Sequence, residues 1–302
     1  MRLAHIYKGG NQLTGSFMAK YQDLVDTFIA QLEAGTRPWA ASWSGGGAQA
    51  KPLRHNGVPY QGCNVLALWF EAAARGFSSQ YWLTYKQAQE LGANVKKGAK
   101  AAYVYYAGTG EREKEDGESA TFHFLKTYCV FNADEIDGLP AHYYPAKVPA
   151  NTEARIANAE TFARNTGAEI KHGGTSAFYR PSGDFVQMPD FNRFESPEAY
   201  YAVLFHELTH WTGSKGRIDR PRGARFGDST YALEELIAEL GAAFLCADLG
   251  ISDKPRDDHA AYLAGWVKAL KAQPSVLMSA ASAAEKAAAY LHGLQQPDAI
   301  AA

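Results

Sequence analysis

The sequence has few cysteines and none close together: Cys63, Cys129 and Cys246 are odd in number, widely spaced and form no CxxC pair. This excludes a disulfide framework and a cysteine-rich metal site, and it fits a reducing, cytoplasmic setting. Long apolar runs are missing too. No stretch approaches the ~18 residues of a membrane span, and the N-terminal MRLAHIYKGGNQLTGSF lacks the apolar centre of a secretory signal, so no membrane partner is expected. The absence of internal repeats and heptads excludes a solenoid or a coiled coil. Residues 1–17, Gly-rich and unpatterned, are expected to form a disordered leader or extension without a role in the fold.

What is present suffices for a globular core: 302 residues, 46% hydrophobic and 21% charged, enough for one large or two ordinary domains. The net charge of -2 hides an asymmetry, with 15 Lys+Arg against 13 Asp+Glu in residues 1–149 and 15 against 19 in residues 150–302. Residues 38–106 alone hold seven basic and two acidic residues, a candidate anion-binding face.

Tyr21, Leu24, Val25, Phe28 and Leu32 recur at helical spacing and stop at Gly35, predicting a first helix. Further helices are expected over 64–74 and 85–91. The β-rich runs AAYVYYA (101–107) and TFHFLKTYCVFN (121–132) flank the acidic AGTGEREKEDGE, which reads as a hairpin with a long solvated loop. Residues 141–151 have linker composition, dividing an α+β domain at 18–140 from a second domain at 152–302. In that second domain the pattern predicts a helix over 152–166 and short strands near 169–172, 177–180 and 184–188. Helices over 197–212, 230–249, 257–272 and 276–293 follow.

HELTH (206–210) lies within one of these helices, between the capping pair Ser196 and Pro197 and the terminating Gly213. Residues i and i+4 share a helix face, so His206 and His210 can reach one zinc ion through their imidazoles. Glu207 then sits beside the metal without binding it, placed to take a proton from a water whose pKa the cation lowers and to pass it to a leaving amine. With nine His and 18 Glu in 302 residues, chance places HExxH in such a chain about 0.016 times, which favours metal over coincidence. A metzincin is excluded, because its third histidine would fall on Gly216. Downstream, YALEELIAELGAAF (231–244) carries Glu234, Glu235 and Glu239 in an apolar helical pattern. Glu235 and Glu239 share a face at i and i+4; Glu235 is the preferred third ligand and Glu239 the group that orients a histidine from behind, the exchange of these roles being the alternative. Zinc suits this donor set best, with manganese, cobalt or nickel also acceptable.

Two neighbouring segments are candidate parts of the same cleft. DFVQMP (184–189) is placed as an edge strand for an extended peptide would be, an ordinary core strand being at least as good a reading. KGRIDRPRGAR (215–225) has five basic residues against one acidic and is a candidate nucleic-acid loop, an exposed solvated loop being the default. In the first domain, twelve aromatic residues from Trp39 to Tyr106 alternate with the basic ones, a composition that serves either a core or a single-strand-binding groove.

RPW (37–39), YQGCN (60–64), WLTYKQAQELGANVKKGAK (82–100) and VFNADEIDGL (130–139) resemble the N-terminal domain of ArdC-type antirestriction proteins. FESPEAYYAVLFHELTHWTGSKGRIDR and YALEELIAELGAAFL resemble the metallopeptidase-like domain of the same family, which is similar to SprT and Spartan-like proteases. The resemblance implies a bacterial, plasmid-borne protein that binds single-stranded DNA and protects incoming conjugative DNA from restriction, with restriction enzymes or DNA-bound proteins as possible substrates. It implies DNA contacts at Trp82, Tyr85, Lys86, Lys96 and Lys97, and the metal residues named above. Two other functions fit the sequence: a DNA-coating protein with a structural metal domain, and a cytosolic metallopeptidase with no DNA role.

Overall fold

The computed structural model describes residues 12–35, 39, 50–113, 119–144, 152–221, 229–251 and 260–295. Its chain divides into two compact units, Met1–Phe28 with Pro52–Pro145, and Ile29–Lys51 with Ala146–Ala302. The expected domains were continuous; the structure instead assigns residues 29–51 to the second unit. Trp39, 1% exposed, packs its ring 5.7 Å from that of Trp266. Lys51 reaches Asp248 at 3.0 Å and Glu285 at 3.4 Å. Periodicity reads only local contacts, and these partners lie some two hundred residues away. Of the expected linker, residues 141–143 form a turn of 3-10 helix in the first unit, and 145–151 lie outside the described residues.

Helix α1 (Gln12–Glu33), of which the first unit takes the residues through Phe28, starts inside the segment expected to be a leader. The reason is Phe17, which extends the apolar stripe of Tyr21, Leu24, Val25 and Phe28 by one turn and is 1% exposed. Residues 1–11 lie outside the described residues. After β1 (Leu53–Arg54), α2 (Cys63–Arg75) buries Val65, Leu66, Leu68, Trp69 and Phe70 and stops at Gly76, whose φ of 70° suits a glycine. Next come β2 (Tyr81–Leu83) and α3 (Tyr85–Glu90), which starts with a reciprocal cap: the Thr84 hydroxyl accepts from Gln87 N, and Gln87 Oε1 accepts from Thr84 N. The short β3 (Asn94–Val95) pairs with β6 (Ile136–Asp137), and between them in sequence run β4 (Ala102–Glu113) and β5 (Ser119–Asn132). The four-stranded sheet has the order β1-β2-β5-β4, parallel only between β1 and β2.

The β4–β5 ladder runs on to Glu113 opposite Ser119, so the expected long loop is largely strand; residues 114–118 lie outside the described residues. The backbone register pairs Glu111 with Thr121 and Arg112 with Ala120.

The second unit continues with α4 (Thr152–Asn165), β7 (Glu169–His172), β8 (Phe178–Arg180) and β9 (Phe185–Met188), in the sheet order β7-β9-β8. This corrects the edge-strand expectation: β9 is central, parallel to β7 and antiparallel to β8. Val186 and Met188, both 0% exposed, direct one face of β9 into the core. The remaining elements are α5 (Pro197–Thr212), α6 (Ser229–Leu249), α7 (Ala260–Ala272) and α8 (Ser275–Gly293); the expected residues 257–259 of α7 lie outside the described residues. Helix α5 packs against β8 and β9 on the sheet side and against α6 on the other. Among the described residues no helix is long and apolar enough to cross a membrane.

Replacement of Trp39 by Ala should destabilise the second unit by about 3–5 kcal/mol. Hydrogen exchange is the check: amides of α6–α8 should lose protection, and loss confined to α1 and α2 would contradict the assignment of residues 29–51.

Candidate metal centre

Helix α5 begins where Ser196 Oγ accepts from Ala199 N at 3.2 Å, with Pro197 in the first turn. Its central residues are almost wholly buried, because strands cover one side and helices the other. Helix α6 approaches closely at Gly241: a Cβ built there would lie 2.6 Å from Thr209 Cγ2 and 2.7 Å from Thr209 Oγ1. Without a side chain at 241, the two helices draw together where one carries its histidines and the other its glutamates.

The meeting point is polar and buried. His206 and His210 turn their Nε2 atoms toward each other at 3.1 Å. Glu235 closes the group, with Oε2 3.5 Å from His206 Nε2 and Oε1 3.6 Å from His210 Nε2. Behind them, His206 Nδ1 lies 3.1 Å from Glu239 Oε1 and His210 Nδ1 lies 3.2 Å from Glu234 Oε1. With the His210 Nδ1 hydrogen-bonded to Glu234 and the His206 Nδ1 close to Glu239, the two Nε2 atoms and a carboxylate converge on one small space. Such a group repels itself unless a cation or a proton lies between its members. Tetrahedral ligands held about 2.0–2.1 Å from a metal stand roughly 3.3 Å apart, so the separations fit a divalent ion. The donor set, two imidazoles and one carboxylate, fits as well.

Burial opposes charge on His210, yet its hydrogen bonds to Glu234 and Glu235 outweigh burial and push its pKa up to about 10. Burial likewise opposes charge on Glu235, but hydrogen bonds to His206 and His210 hold its carboxyl well below the usual carboxylate range. Glu207, 4% exposed, adds a further coulombic contribution that raises the His210 pKa.

Sequence reasoning missed Arg220 as a supporting group and left Glu234 without a role. Arg220 donates from Nε and Nη2 to the two oxygens of Glu234, at 3.1 and 2.8 Å, and to Thr212 Oγ1 and the Thr209 carbonyl, both at 2.7 Å. The line Arg220–Glu234–His210 thus fixes one imidazole. A signal existed in the adjacency of Glu234 to Glu235, which turns it about 100° around the helix toward the other histidine. Arg217 is committed too: it stacks 4.0 Å over Trp211 and donates to the Trp211 carbonyl, Asp184 and Tyr179. This corrects the nucleic-acid expectation for Arg217 and Arg220, whose guanidinium groups are taken up within the protein, Arg220 by the buried Glu234 and Arg217 by Tyr179, the Trp211 carbonyl and the exposed Asp184; 222–225 lie outside the described residues.

The DNA candidates of the first unit separate by burial. Trp82 is 1% exposed, its ring 5.8 Å from that of Phe77, so it is core and offers no face to a base. Tyr85 is 53% exposed, and Lys86 is exposed and ion-paired to Glu90 at 3.6 Å. Lys96 donates to the Asp134 carbonyl at 2.8 Å and lies 3.6 Å from Asp137, while Lys97 is exposed.

A helix-borne HExxH closed by a glutamate of the following helix, on a small mixed sheet, defines a zincin-like metallopeptidase domain, and residues 157–283 match that family. Residues 18–131 match the N-terminal domain of anti-restriction factor ArdC. The crystal structure of the antirestriction ArdC protein of plasmid R388, in metal-free form, superposes with a TM-score of 0.78 at 45% identity over 91% of this chain and 97% of that one. Its Mn(II)-bound form gives 0.76 at 43% identity, with the same coverage. The protein y4eC of Sinorhizobium fredii, itself uncharacterised, is 40% identical over 92% of this chain and 93% of its own. The DNA primase TraC of Escherichia coli is 35% identical over 297 residues, and there the chain spans only 27% of the relative's length. The chain belongs to the ArdC antirestriction family.

Two outcomes follow for metal binding. Because hydrogen bonds to Glu234 and Glu235 raise the His210 pKa, metal binding should release about one proton, and affinity should fall about tenfold per pH unit as pH drops through 8 to 6. Calorimetry in buffers of different ionisation enthalpy measures this; equal heats in all buffers contradict it. Glu234→Gln and Arg220→Gln should each weaken metal binding roughly 10- to 100-fold in chelator competition.

Proposed function

We propose that this chain is an antirestriction protein that binds single-stranded DNA and carries a zinc-dependent peptidase site, protecting DNA that enters by conjugation. The observation carrying the catalytic part is the convergence of His206 Nε2, His210 Nε2 and the Glu235 carboxylate, which lie within 4.8 Å of one another. These three would hold the cation, and Glu239 and Glu234 would orient the histidines. A divalent ion bound there supplies a Lewis acid for a peptide carbonyl and acidifies water. Glu207 accepts the proton of the attacking water on a carboxylate oxygen and hands it to the nitrogen of the departing amine. Burial keeps bulk water from competing for that proton.

The DNA part is supported by family membership and by the excess of basic residues between 38 and 106. The Mn(II)-bound relative supports a divalent cofactor of this general kind, and the imidazole-rich donor set favours zinc. Protein substrates bound to or acting on DNA fit a site tethered to a DNA-binding unit.

The test incubates the purified protein with a restriction enzyme, with and without single-stranded DNA and chelator, scoring both cleaved protein and protected DNA. Glu207→Ala should retain about one metal per chain and lose roughly 10²- to 10⁴-fold in cleavage. Protection by this variant equal to wild type would sink the peptidase reading and leave a DNA-coating role.

A further inference from the structure

Many described aromatic residues of the first unit are core, but beyond the buried Val104 one face of the β4–β5 hairpin carries its rings toward solvent. The register places Val104 opposite Tyr128, Tyr106 opposite Lys126 and Gly108 opposite Phe124, so these six positions share a face. Tyr106 and Tyr128 are 50% and 46% exposed. Their ring centroids are 6.4 Å apart, and Tyr106 lies 5.9 Å from Phe124. Lys126 Nζ stands 4.7 Å over the Phe124 ring. The rings therefore form a row along the ribbon: Tyr128, Tyr106, Phe124.

Gly108 belongs to this row by having no side chain. A Cβ there would come within 2.6 Å of Phe124 Cζ and 2.7 Å of Tyr106 Cε1, so the two rings lie over the bare backbone. The opposite face is occupied differently. Tyr105 packs edge-on against Phe17 and Tyr21 and donates its hydroxyl to the Lys20 carbonyl.

Charge indicates what the exposed row receives. None of the six positions is a carboxylate, one is a lysine, and the chain enters β4 through the exposed Lys96, Lys97 and Lys100. Adjacent rings with cations beside and before them offer stacking to bases and charge to phosphates, the two halves of a single strand. An aliphatic protein partner would use neither.

We propose that the Tyr128–Tyr106–Phe124 row, with Lys126, is the platform on which single-stranded nucleic acid stacks its bases. This rests on the single-strand-binding reading above and puts the aromatic contact here instead of at the buried Trp82. Because every base has a π-face, binding there is tolerant of sequence.

The test uses the full chain and fluorescence anisotropy of a labelled oligothymidylate. Tyr106→Ala and Tyr128→Ala are each expected to weaken binding roughly tenfold, Tyr→Phe at either position to restore it, and Lys126→Gln to make the salt dependence shallower by about 0.7 in log–log slope. Circular dichroism of each variant checks that the exposed substitutions leave the fold intact. If wild type binds and the folded double Ala variant binds equally well, this location is wrong while the single-strand reading stands; if wild type does not bind, both fall.

Discussion

Three electron-rich groups, two imidazole nitrogens and a carboxylate, are forced together in a buried space, and much of the second unit exists to hold them there. Alone they repel, and each is an unfavourable group to bury. They stay because other bonds commit their far sides. Glu239 lies 3.1 Å from His206 Nδ1, Glu234 bonds to His210, and Arg220 holds Glu234 while bonding to Thr212 and the Thr209 carbonyl. The approach of α6 to α5 at Gly241 makes these short distances available. The site is a bonded lattice across two helices, with one space left for a cation.

That lattice explains why so many acids sit among leucines. Glu207, Glu234, Glu235 and Glu239 are all under 9% exposed, an arrangement that would destabilise an ordinary helix pair. Glu234 and Glu239 lie behind the two histidines, Glu235 faces both Nε2 atoms, and Glu207 lies on the same helix as the histidines. Arg220 supplies positive charge to this group through Glu234. The ArdC relatives include a metal-free and a Mn(II)-bound structure of the same fold.

Much of this was legible in the sequence. HELTH and the Glu235/Glu239 pair announce themselves because helix geometry converts a spacing of four directly into a shared face. Secondary structure in the second unit follows its caps and periodicity closely, as at Ser196, Pro197 and Gly213. What misled were features whose meaning depends on partners. Trp82 and Tyr106 look alike in an aromatic, basic sequence, yet one is core and the other half-exposed. Arg217 and Arg220 read as a free basic loop until Asp184, Trp211 and Glu234 take them up. Gly and charge at 108–113 suggested a loop, whereas cross-strand backbone pairing carries the ladder through them.

The chain alone determined the element types, the α+β class, the metal-ligand residue types and their helix, because each depends on neighbours within one or two turns. Tertiary structure decided that residues 29–51 join the second unit, that β9 is central, that Arg220 reaches the metal group through Glu234, and which rings face water. Those outcomes depend on contacts between residues far apart in sequence. Burial and charge neutralisation, unlike helical spacing, have no signature until both partners are in place.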